Sequence, residues 1–482
     1  MSFGIDFGTT NSSLCFLPTV GSATRRDIGA GDRPFPSVVA INRETGAVLC
    51  GIRAWEQRRA LEANPVYEFI PSIKTVLGTD WKRLIAGRIW RPWDVAAEVL
   101  KAIKAEAVSL LESDVDKALV SIPVGFHSEK RRDLRRAAEA AGITIERFVG
   151  ESTAAFVESA SAMRADTYVV VFDWGGGTLD ISILKNSNGT IRELATTGIP
   201  LGGDAIDRKL AHHIHSKVAN KQNFDCAFED VPVKDQDRLI VRCEEAKRRL
   251  CNEDTASIAM IGYGPFDEFR ETIDRYWFAD FVRDEIDQAV SALTKALREA
   301  HLGAATIDRI LVVGGSSKLV SLRERLIREF GEERLVFPFD SEWSVSRGAA
   351  KLGDSGIICK SAQDVGIVLS SDEIFPMLRK DSPIDGWEGT WQFGITDTSE
   401  EAHLVFTGSD DIDQSPEKYR CVSVPAYRFL QESLIIDAWV DENLVFNATA
   451  RSDMHPVPAN EQPVWKYERL KVYYDLNGGG QR

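Results

Sequence analysis

One local pattern occurs twice in this sequence, and it constrains the fold more than any other feature. Near the middle of the chain, an apolar stretch ends in Asp173, turns through three glycines and Thr178, and resumes as a second apolar stretch. Near the N-terminus a shorter copy of the pattern occurs, in which an apolar stretch ends in Asp6 and is followed by one residue, Gly8 and Thr9. Three consecutive glycines are costly in chain entropy, so a plain turn rarely needs them, although a single copy could still be a flexible hairpin. The second copy favours two related half-domains whose turns face one ligand.

The residue types in these turns indicate what that ligand is. Glycines let backbone N–H groups approach a phosphate chain closely, and a carboxylate at a strand end is placed to hold a metal ion. A further glycine pair, Gly314 and Gly315, follows the apolar stretch 309–313 and precedes a predicted helix, a position suited to a nucleotide. The sequence therefore predicts a nucleotide site.

Composition excludes several classes of protein. The net charge of −15 argues against nucleic acid or an anionic membrane as the main partner, because both attract basic surfaces. We interpret the basic segment 128–141 as the solvated face of a helix for the same reason. No apolar run reaches the roughly 18 residues that a membrane helix needs. Seven scattered cysteines without a CxxC pair fit a reducing compartment, so we expect a cytoplasmic protein.

The chain is long enough for at least two domains. Residues 1–353 alternate helical and strand patterns and predict an α/β domain. Residues 354–482 lose helical periodicity and predict a small all-β domain, with a hairpin turn at residues 441–443. Its predicted strands are 365–369, 391–395, 404–406, 434–440 and 444–450.

Three histidines, His212, His213 and His215, lie close together on one predicted helix. Two of them could share a face, but no third metal ligand accompanies them. We expect exposed side chains here and no metal site.

Several motifs, in order along residues 1–353, resemble the nucleotide-binding domain of the 70-kilodalton heat-shock (DnaK-type) chaperones. That family belongs to the actin-like, ribonuclease H-like ATPase superfamily, so the resemblance implies a two-lobed α/β domain. The segments that carry the resemblance are 5–12, 72–78, 122–126 with Arg131, 150–155, 172–180, 244–248 and 314–316.

The resemblance also implies a slow ATPase, with ATP and ADP as ligands, Mg²⁺, and K⁺ as a further candidate ion. The implied catalytic residues are Lys74, Glu151, Asp173 and Thr178, with Asp6 and Asp173 holding the metal largely through its waters. Pro123 and Arg131 match the residues that relay nucleotide state. The implied nucleotide-binding residues are Gly8, Thr9, Thr10, Asn11, Gly175, Gly176, Gly177, Gly202, Gly203, Glu244, Lys247, Arg248, Gly314, Gly315, Ser316 and Lys318.

The sequence departs from the family pattern at several of these motifs. Trp174 replaces a small aliphatic residue, Ser152 replaces the usual proline, and Cys251 replaces a serine. Lys318 replaces an arginine and cannot stack a flat guanidinium on a base. The segment between Lys74 and Pro123 is shorter than in the family, which indicates a trimmed subdomain.

Residues 354–482 resemble, more distantly, the β peptide-binding domain of the same chaperones. No aliphatic interdomain linker is recognisable before residue 364, and no helical lid segment follows, so we expect a divergent, lidless member. The expected partners are protein segments or one dedicated protein, with J-domain or exchange-factor proteins as further candidates.

Three functional hypotheses follow. The first is a chaperone-like ATPase that couples nucleotide state to protein binding. The second is an ATP-switched module that docks one partner without general chaperone activity. The third is a small-molecule kinase of the same superfamily, which the chaperone-type motifs disfavour.

Overall fold

The computed structural model describes residues 1–18, 25–31, 33–59, 66–111, 113–123, 125–159, 166–369, 371, 373–394, 400–411, 420–425, 432–454, 458, 462 and 464–476. Contacts within the chain divide it into two compact units. The first comprises Met1–Asn186 and Glu193–Asp354, and the second comprises Ser187–Arg192 and Ser355–Arg482. None of the helices in the described ranges is long and apolar enough to cross a membrane.

The first unit mixes strands and helices. Its strands are β1 (Ser2–Asp6), β2 (Asn11–Leu17), β3 (Arg26–Ile28), β4 (Phe35–Pro36), β5 (Val38–Asn42), β6 (Val48–Cys50), β7 (Tyr67–Pro71), β8 (Arg83–Ile85), β9 (Arg88–Trp90), β10 (Lys117–Ile122), β11 (Thr144–Gly150), β12 (Thr167–Trp174), β13 (Leu179–Ser187), β14 (Thr190–Ile199), β15 (Thr255–Tyr263), β16 (Phe266–Asp274), β17 (Arg309–Val313) and β18 (Leu335–Val336). Ser187 at the end of β13 and residues 190–192 at the start of β14 belong to the second unit. Its α-helices are α1 (Ile52–Arg59), α2 (Pro92–Leu111), α3 (Ser128–Ala140), α4 (Glu151–Ser159), α5 (Gly203–Lys221), α6 (Val233–Leu250), α7 (Arg275–Phe281), α8 (Arg283–Glu299), α9 (Val320–Phe330) and α10 (Ser344–Asp354).

Two sheets of the first unit share one topology. In the first, the strands lie in the order β3-β2-β1-β10-β11, and β4 also pairs with β2. In the second, the order within this unit is β14-β13-β12-β17-β18. The aspartate-bearing strands β1 and β12 each pair antiparallel with the next strand and parallel with a strand from later in the chain. This duplication confirms the two related half-domains that the repeated turns predict.

Glycines let three elements of the first unit approach one another closely. A Cβ atom at Gly348 of α10 would lie 1.8 Å from the carbonyl oxygen of Ala154 in α4. A Cβ atom at Gly4 of β1 would lie 2.2 Å from a backbone oxygen of α10. Helix α4 begins at Glu151 and β1 ends at Asp6, so this packing fixes where the two carboxylates lie.

The described part of the second unit is built from strands and one 3-10 turn (Ser409–Asp411). The strands are β19 (Ile358–Ser361), β20 (Val365–Val368), β21 (Ile374–Leu378), β22 (Glu388–Gly394), β23 (Glu401–Gly408), β24 (Arg420–Pro425), β25 (Ser433–Val440), β26 (Phe446–Ser452), β27 (Val464–Tyr467) and β28 (Val472–Asp475). They include all five strands predicted in this region, although residue 395 of one prediction lies outside the described ranges. Two four-stranded sheets have the orders β21-β20-β23-β24 and β22-β25-β26-β27. Between them Phe406 stacks on Trp465, with ring centroids 4.6 Å apart.

The segment Ser187–Arg192, which links β13 to β14, belongs to the second unit. Within that unit Thr190 and Ile191 pair antiparallel with β28. Arg192 forms an ion pair with Asp381 at 2.9 Å. The sequence does not indicate that this segment belongs to the second unit, because β13 and β14 follow each other closely and have the pattern of one hairpin.

Candidate functional site

The two glycine turns lie against each other in the first unit. A Cβ atom at Gly176 would lie 1.9 Å from Oγ1 of Thr10, and one at Gly177 would lie 3.0 Å from Cγ2 of Thr9. No side chain fits at Gly176 without displacing the opposite turn. The structure therefore brings together the two motifs that the sequence places at opposite ends of a long segment.

Two serines hold the first turn in shape. The backbone N–H of Gly8 donates to Oγ of Ser12 at 3.1 Å, and Oγ of Ser37 donates to the carbonyl oxygen of Gly8 at 2.9 Å. The hydroxyls of Ser12 and Ser37 are 2.8 Å apart. The N–H of Ser37 also donates to the carbonyl of Thr10 at 2.9 Å. Ser37 is not predicted from the sequence as part of the site, because only the pairing of β2 with β4 brings it to the turn.

The start of α5 holds the second turn in shape. Within the turn, the N–H of Gly175 donates to the carbonyl of Thr178 at 2.9 Å. The N–H of Gly203 donates to the carbonyl of Gly175 at 3.1 Å, and that of Asp204 to the carbonyl of Gly176 at 2.8 Å.

Gly202, immediately before α5, is part of the same contact. A Cβ atom there would lie 2.1 Å from the Gly176 carbonyl oxygen, so only glycine fits at position 202 beside the turn. The predicted residues Gly202 and Gly203 thus lie directly beside the second turn.

A buried ion pair lies among carboxylates beside the turns. Nζ of Lys74 is 2.7 Å from Oε1 of Glu151, and the Lys74 side chain is only 8% exposed. Burial, reinforced by the charge of Glu151, raises the pKa of Asp6 to about 6 and holds that of Asp173 well above its usual value. The Lys74 ammonium opposes both pKa shifts.

Asp180 is a further acidic residue of this cluster that the sequence analysis did not single out. It is buried on β13, and Oγ1 of Thr178 donates to its Oδ2 at 2.7 Å. Burial and then the charge of Glu151 raise the pKa of Asp180 to about 7. Its place two residues after Thr178 in the glycine motif was the available signal.

Three side chains that carry carboxylates or hydroxyls complete the lining. Oγ of Ser121, on β10, donates to Oδ1 of Asp6 at 3.0 Å. Oγ of Ser72 lies 3.4 Å from Oδ2 of Asp204, at the opposite turn. Burial raises the pKa of Asp204 above its usual value.

Trp174 packs behind the second turn. Its ring is fully buried in the core of the second half-domain and meets Phe172 edge-on, with centroids 6.4 Å apart. Its Nε1–H donates to the carbonyl oxygen of Leu201 at 2.7 Å. This residue, which the family resemblance marks as unusual, therefore connects the turn to the segment that leads into α5.

Helix α4 is joined to the second sheet at its first turn. Ser152 and Ser182 are buried, and Oγ of Ser182 donates to Oγ of Ser152 at 2.8 Å. Ser152 adjoins Glu151 and Ser182 lies two residues beyond Asp180. This bond exists because Ser152 stands where the resembling family usually has proline.

Two of the residues that the family resemblance assigns to the adenosine pocket, Lys247 and Ser316, lie next to the second turn. Nζ of Lys247 donates to the carbonyl oxygen of Gly203 at 2.9 Å and to Oδ2 of Asp207 at 2.6 Å. Oγ of Ser316 donates to the carbonyl oxygen of Gly175 at 2.8 Å. Burial raises the pKa of Asp207 to about 7, although the charge of Lys247 opposes the rise.

The remaining adenosine-pocket residues lie around this group. Gly314 has φ +86°, and a Cβ atom there would lie 2.5 Å from Oδ1 of Asp173, so glycine is required. On α6, Arg248 pairs with Glu244 at 2.7 Å. Lys318 forms an ion pair with Glu342.

Gly315 is exposed, and Asn11 begins β2 directly after the first turn. Cys251, just after α6, is half-buried, and burial raises the pKa of its thiol. Pro123 follows β10, the strand that carries Ser121, and Arg131 is buried on α3.

The histidine group on α5 is not wholly exposed, so that prediction was wrong for His215. His215 is buried, its Nδ1 lies 3.0 Å from the hydroxyl of Tyr263, and its Nε2 lies 2.8 Å from the carbonyl of Cys226. His213 packs on Trp277 instead. These hydrogen bonds and ring contacts account for the positions of the His213 and His215 imidazole rings.

The site fits a hydrated cation and a phosphate chain. Among the described residues, no group of three or more His, Cys, Asp and Glu side chains is placed to hold a metal ion directly. Asp6 and Asp173 are half-buried and Asp180 is buried, and the pKa values of all three carboxyl groups are raised, which a nearby cation would reverse. At the contact of the turns, buried Oγ1 of Thr10 has no hydrogen-bond partner among the described residues, as expected where a ligand oxygen belongs.

A comparison with known protein families matches residues 82–371, more than half of the chain, to the family described as Hsp70 protein. The chain belongs to the Hsp70 family. Hsp70 proteins are ATP-binding, chaperone-type ATPases with an actin-like, two-lobed nucleotide-binding domain, and they bind protein substrates and co-chaperones. The matched range contains the second glycine turn, Glu151 and the adenosine-pocket residues.

Proposed function

We propose that this Hsp70 protein binds ATP between its two glycine turns, hydrolyses it slowly, and uses nucleotide state to control binding of protein segments or one dedicated partner. The observation that carries the proposal is the contact of the two turns beside the buried Lys74–Glu151 pair. Two strand-end turns that meet at Gly176 without room for a side chain there, next to a lysine among carboxylates, fit phosphoryl-transfer chemistry.

In this proposal the turns bind the phosphates through backbone N–H groups. Gly8, Thr9, Thr10 and Asn11 line one side, and Gly175, Gly176 and Gly177 line the other. The hydroxyl of Thr10 donates to a phosphate oxygen, which satisfies its otherwise unpaired Oγ1. The serine hydrogen bonds of the first turn and the α5 amides of the second keep both loops in shape before nucleotide arrives.

Lys74, Glu151, Asp173 and Thr178 act on the γ-phosphate and the attacking water. The ammonium of Lys74 stabilises the charge that develops on the transferred phosphoryl group. Glu151 and Asp173 orient the water and accept its proton, and their position in a poorly solvated cleft strengthens these interactions. The exposed Thr178 side chain contacts the γ-phosphate.

Asp6 and Asp173 would hold hydrated Mg²⁺ through its waters. When bound, this ion supplies neutralisation of the phosphate charge. Ser121, which donates to Asp6, keeps that carboxylate oriented for its role. K⁺ remains a further candidate ion.

The adenosine would lie against Glu244, Lys247, Arg248, Gly314, Gly315, Ser316 and Lys318. Ser316 hydrogen-bonds the Gly175 carbonyl in the second turn, and Lys247 hydrogen-bonds the Gly203 carbonyl at the start of α5, which holds that turn, so nucleoside binding and turn geometry are linked. Pro123 and Arg131 would relay nucleotide state, and residues 354–482 would bind the protein partner. J-domain or exchange-factor partners and a cytoplasmic location are part of the same proposal.

Single-turnover hydrolysis of γ-labelled ATP tests the catalytic part. Lys74→Ala is expected to lower the rate about 100-fold or more, comparable to losing one preorganised charge-stabilising group. Lys101→Ala removes an exposed lysine whose partner is Glu98 on the surface of α2, and it serves as the matched control. Equal rates in wild type and Lys74→Ala would refute this site.

Binding of an extended model peptide with ATP or ADP tests the coupling. The chaperone proposal expects faster peptide release with ATP. Binding that ignores the nucleotide would support the second hypothesis, a partner-docking module. Transfer of phosphate to a small molecule, with no protein binding, would support the kinase alternative.

A further inference from the structure

Lys74 lies on a segment that is too short to hold its own position. The segment is a single 3-10 turn, Ile73–Val76 (the lysine turn). A 3-10 turn of this length has few and poorly aligned internal hydrogen bonds, so its position depends on what it contacts. The four-carbon stem of a lysine adds further freedom. The place of the Lys74 ammonium therefore depends on how the two ends of the lysine turn are anchored.

The start of the lysine turn is held by Ser72. This residue has φ +56°, a left-handed conformation that residues other than glycine rarely adopt. Its carbonyl oxygen accepts the N–H of Thr75 at 3.1 Å, and its Oγ lies 3.4 Å from Oδ2 of Asp204. The next residue, Ile73, is buried. These contacts fix the entry to the turn.

The chain that leaves the lysine turn lies directly on helix α3. Gly78 has φ +74°, and a Cβ atom there would lie 2.9 Å from the backbone nitrogen of Lys130 and 3.1 Å from the carbonyl carbon of Glu129. Glycine alone combines this conformation with room for so close an approach. The end of the lysine turn is therefore in contact with the backbone of α3, with no side chain between them.

A buried carboxylate on α3 completes this anchor. The N–H of Gly78 donates to Oδ2 of Asp133 at 2.8 Å, and the Asp133 side chain is only 8% exposed. Its Oδ1 lies 3.9 Å from Nη1 of the exposed Arg136, at the limit of an ion pair. A buried carboxylate is costly unless it accepts hydrogen bonds, and bonds to a charged acceptor are strong. Asp133 therefore ties the end of the lysine turn to α3.

The Lys74 ammonium meets two other elements of the first unit. It pairs with Glu151, the first residue of α4, at 2.7 Å. It also lies 5.9 Å from the ring centroid of Phe126, which is buried just before α3. If the lysine turn moved away from α3, the ammonium would move relative to both groups.

We propose that Asp133 is a positioning residue for ATP hydrolysis, which holds the lysine turn on α3 by accepting the Gly78 N–H and so keeps the Lys74 ammonium beside the γ-phosphate. This inference rests on the proposed role of Lys74. Asp133 acts through Lys74 and not on the nucleotide. Its loss should therefore lower the rate of the chemical step and leave nucleotide affinity almost unchanged, because the glycine turns bind the phosphates.

Single-turnover hydrolysis of γ-labelled ATP, with the full chain in excess, tests the proposal. Asp133→Ala should lower the maximal first-order rate constant at least about tenfold, since a misplacement of about 1 Å costs up to roughly 100-fold. The protein concentration that gives half of this maximum should stay the same. Loss of folded protein lowers the amplitude of the reaction and not its rate constant, so a purely structural role would leave the rate constant unchanged.

Two further variants at position 133 separate the hydrogen bond from packing. Asp133→Asn keeps an acceptor oxygen in the same place and should restore most of the wild-type rate constant. Asp133→Leu fills the space without an acceptor and should be as slow as Asp133→Ala. Arg136→Ala is the matched control on the same helix. It removes the distant ionic partner of Asp133, leaves the bond to Gly78, and should hydrolyse ATP like wild type.

A double variant shows whether Asp133 acts through Lys74. In a Lys74→Ala background, Asp133→Ala should cause little further loss, because the side chain that it positions is gone. The inference is overturned if Asp133→Ala keeps the wild-type rate constant, if Asp133→Asn is as slow as Asp133→Ala, or if Asp133→Ala slows both backgrounds equally. A wild-type rate constant for Lys74→Ala alone would overturn the proposed function together with this inference.

Discussion

The substitution Gly176→Ala should separate the two glycine turns. The added methyl group would lie 1.9 Å from Oγ1 of Thr10, whereas ordinary contacts begin at 3.4 Å, so one turn must move by about 1.5 Å (3.4 − 1.9 Å). Rotation of the Thr10 side chain cannot fully relieve the clash, because its Cβ atom would remain 3.0 Å away. A turn displaced by that distance loses a hydrogen bond to a phosphate oxygen, and one hydrogen bond to a charged group contributes about 1.5–3 kcal/mol.

We therefore expect Gly176→Ala to weaken MgATP binding about 100-fold, or about 2.7 kcal/mol. Gly175→Ala is the matched control, since its methyl group would meet only the Thr178 carbonyl oxygen, at 3.6 Å. Isothermal titration calorimetry measures both affinities, and circular dichroism confirms folding. In a Thr10→Ala background the cost of Gly176→Ala should shrink, because the clashing hydroxyl is gone. Equal affinities for the two alanine variants would refute the contact between the turns.

Three further substitutions test the surroundings of the turns in the nucleotide-free protein. The pKa of Asp180 rises from 3.8 to about 7 on folding, so the native state binds more protons between these values and its stability falls as pH rises. At pH 8, urea unfolding should therefore give Asp180→Asn a free energy of unfolding up to about 4 kcal/mol above that of wild type. This difference should shrink towards pH 5, and a difference independent of pH would contradict the raised pKa. Trp174→Phe should cost about 2 kcal/mol, because the Leu201 carbonyl loses its buried donor, while nucleotide affinity changes less than threefold; a large affinity loss would mean that the ring acts on the ligand. Ser182→Ala should cost about 1 kcal/mol by leaving the Ser152 hydroxyl unpaired, and unchanged stability would show that this bond contributes nothing.

Local patterns predicted much of the architecture. The glycine turns and the strands after residue 354 follow from periodicity and turn residues, which depend on neighbours in sequence. The repetition of the Asp–Gly turn also predicted two half-domains, because each copy is a complete strand–turn–strand unit.

Features that depend on distant contacts could not be predicted. Ser37 reaches Gly8 only through pairing of β2 with β4, and His215 is buried only because β15 and β16 cover α5. The motif places Asp180 two residues after Thr178, but the burial that raises the pKa of its carboxyl group depends on distant contacts. The assignment of Ser187–Arg192 to the second unit depends on pairing with β28, whose residues lie almost 300 positions later.

A crystal structure of the protein with Mg²⁺ and a non-hydrolysable ATP analogue shows whether the two turns bind the nucleotide. We expect the triphosphate between the turn at residues 8–11 and the turn at residues 175–178, with Nζ of Lys74 facing the γ-phosphate. We also expect a hydrogen bond from Thr10 Oγ1 to a phosphate oxygen. A triphosphate bound elsewhere, or turns that remain closed on each other with nucleotide absent from the cleft, would contradict these expectations.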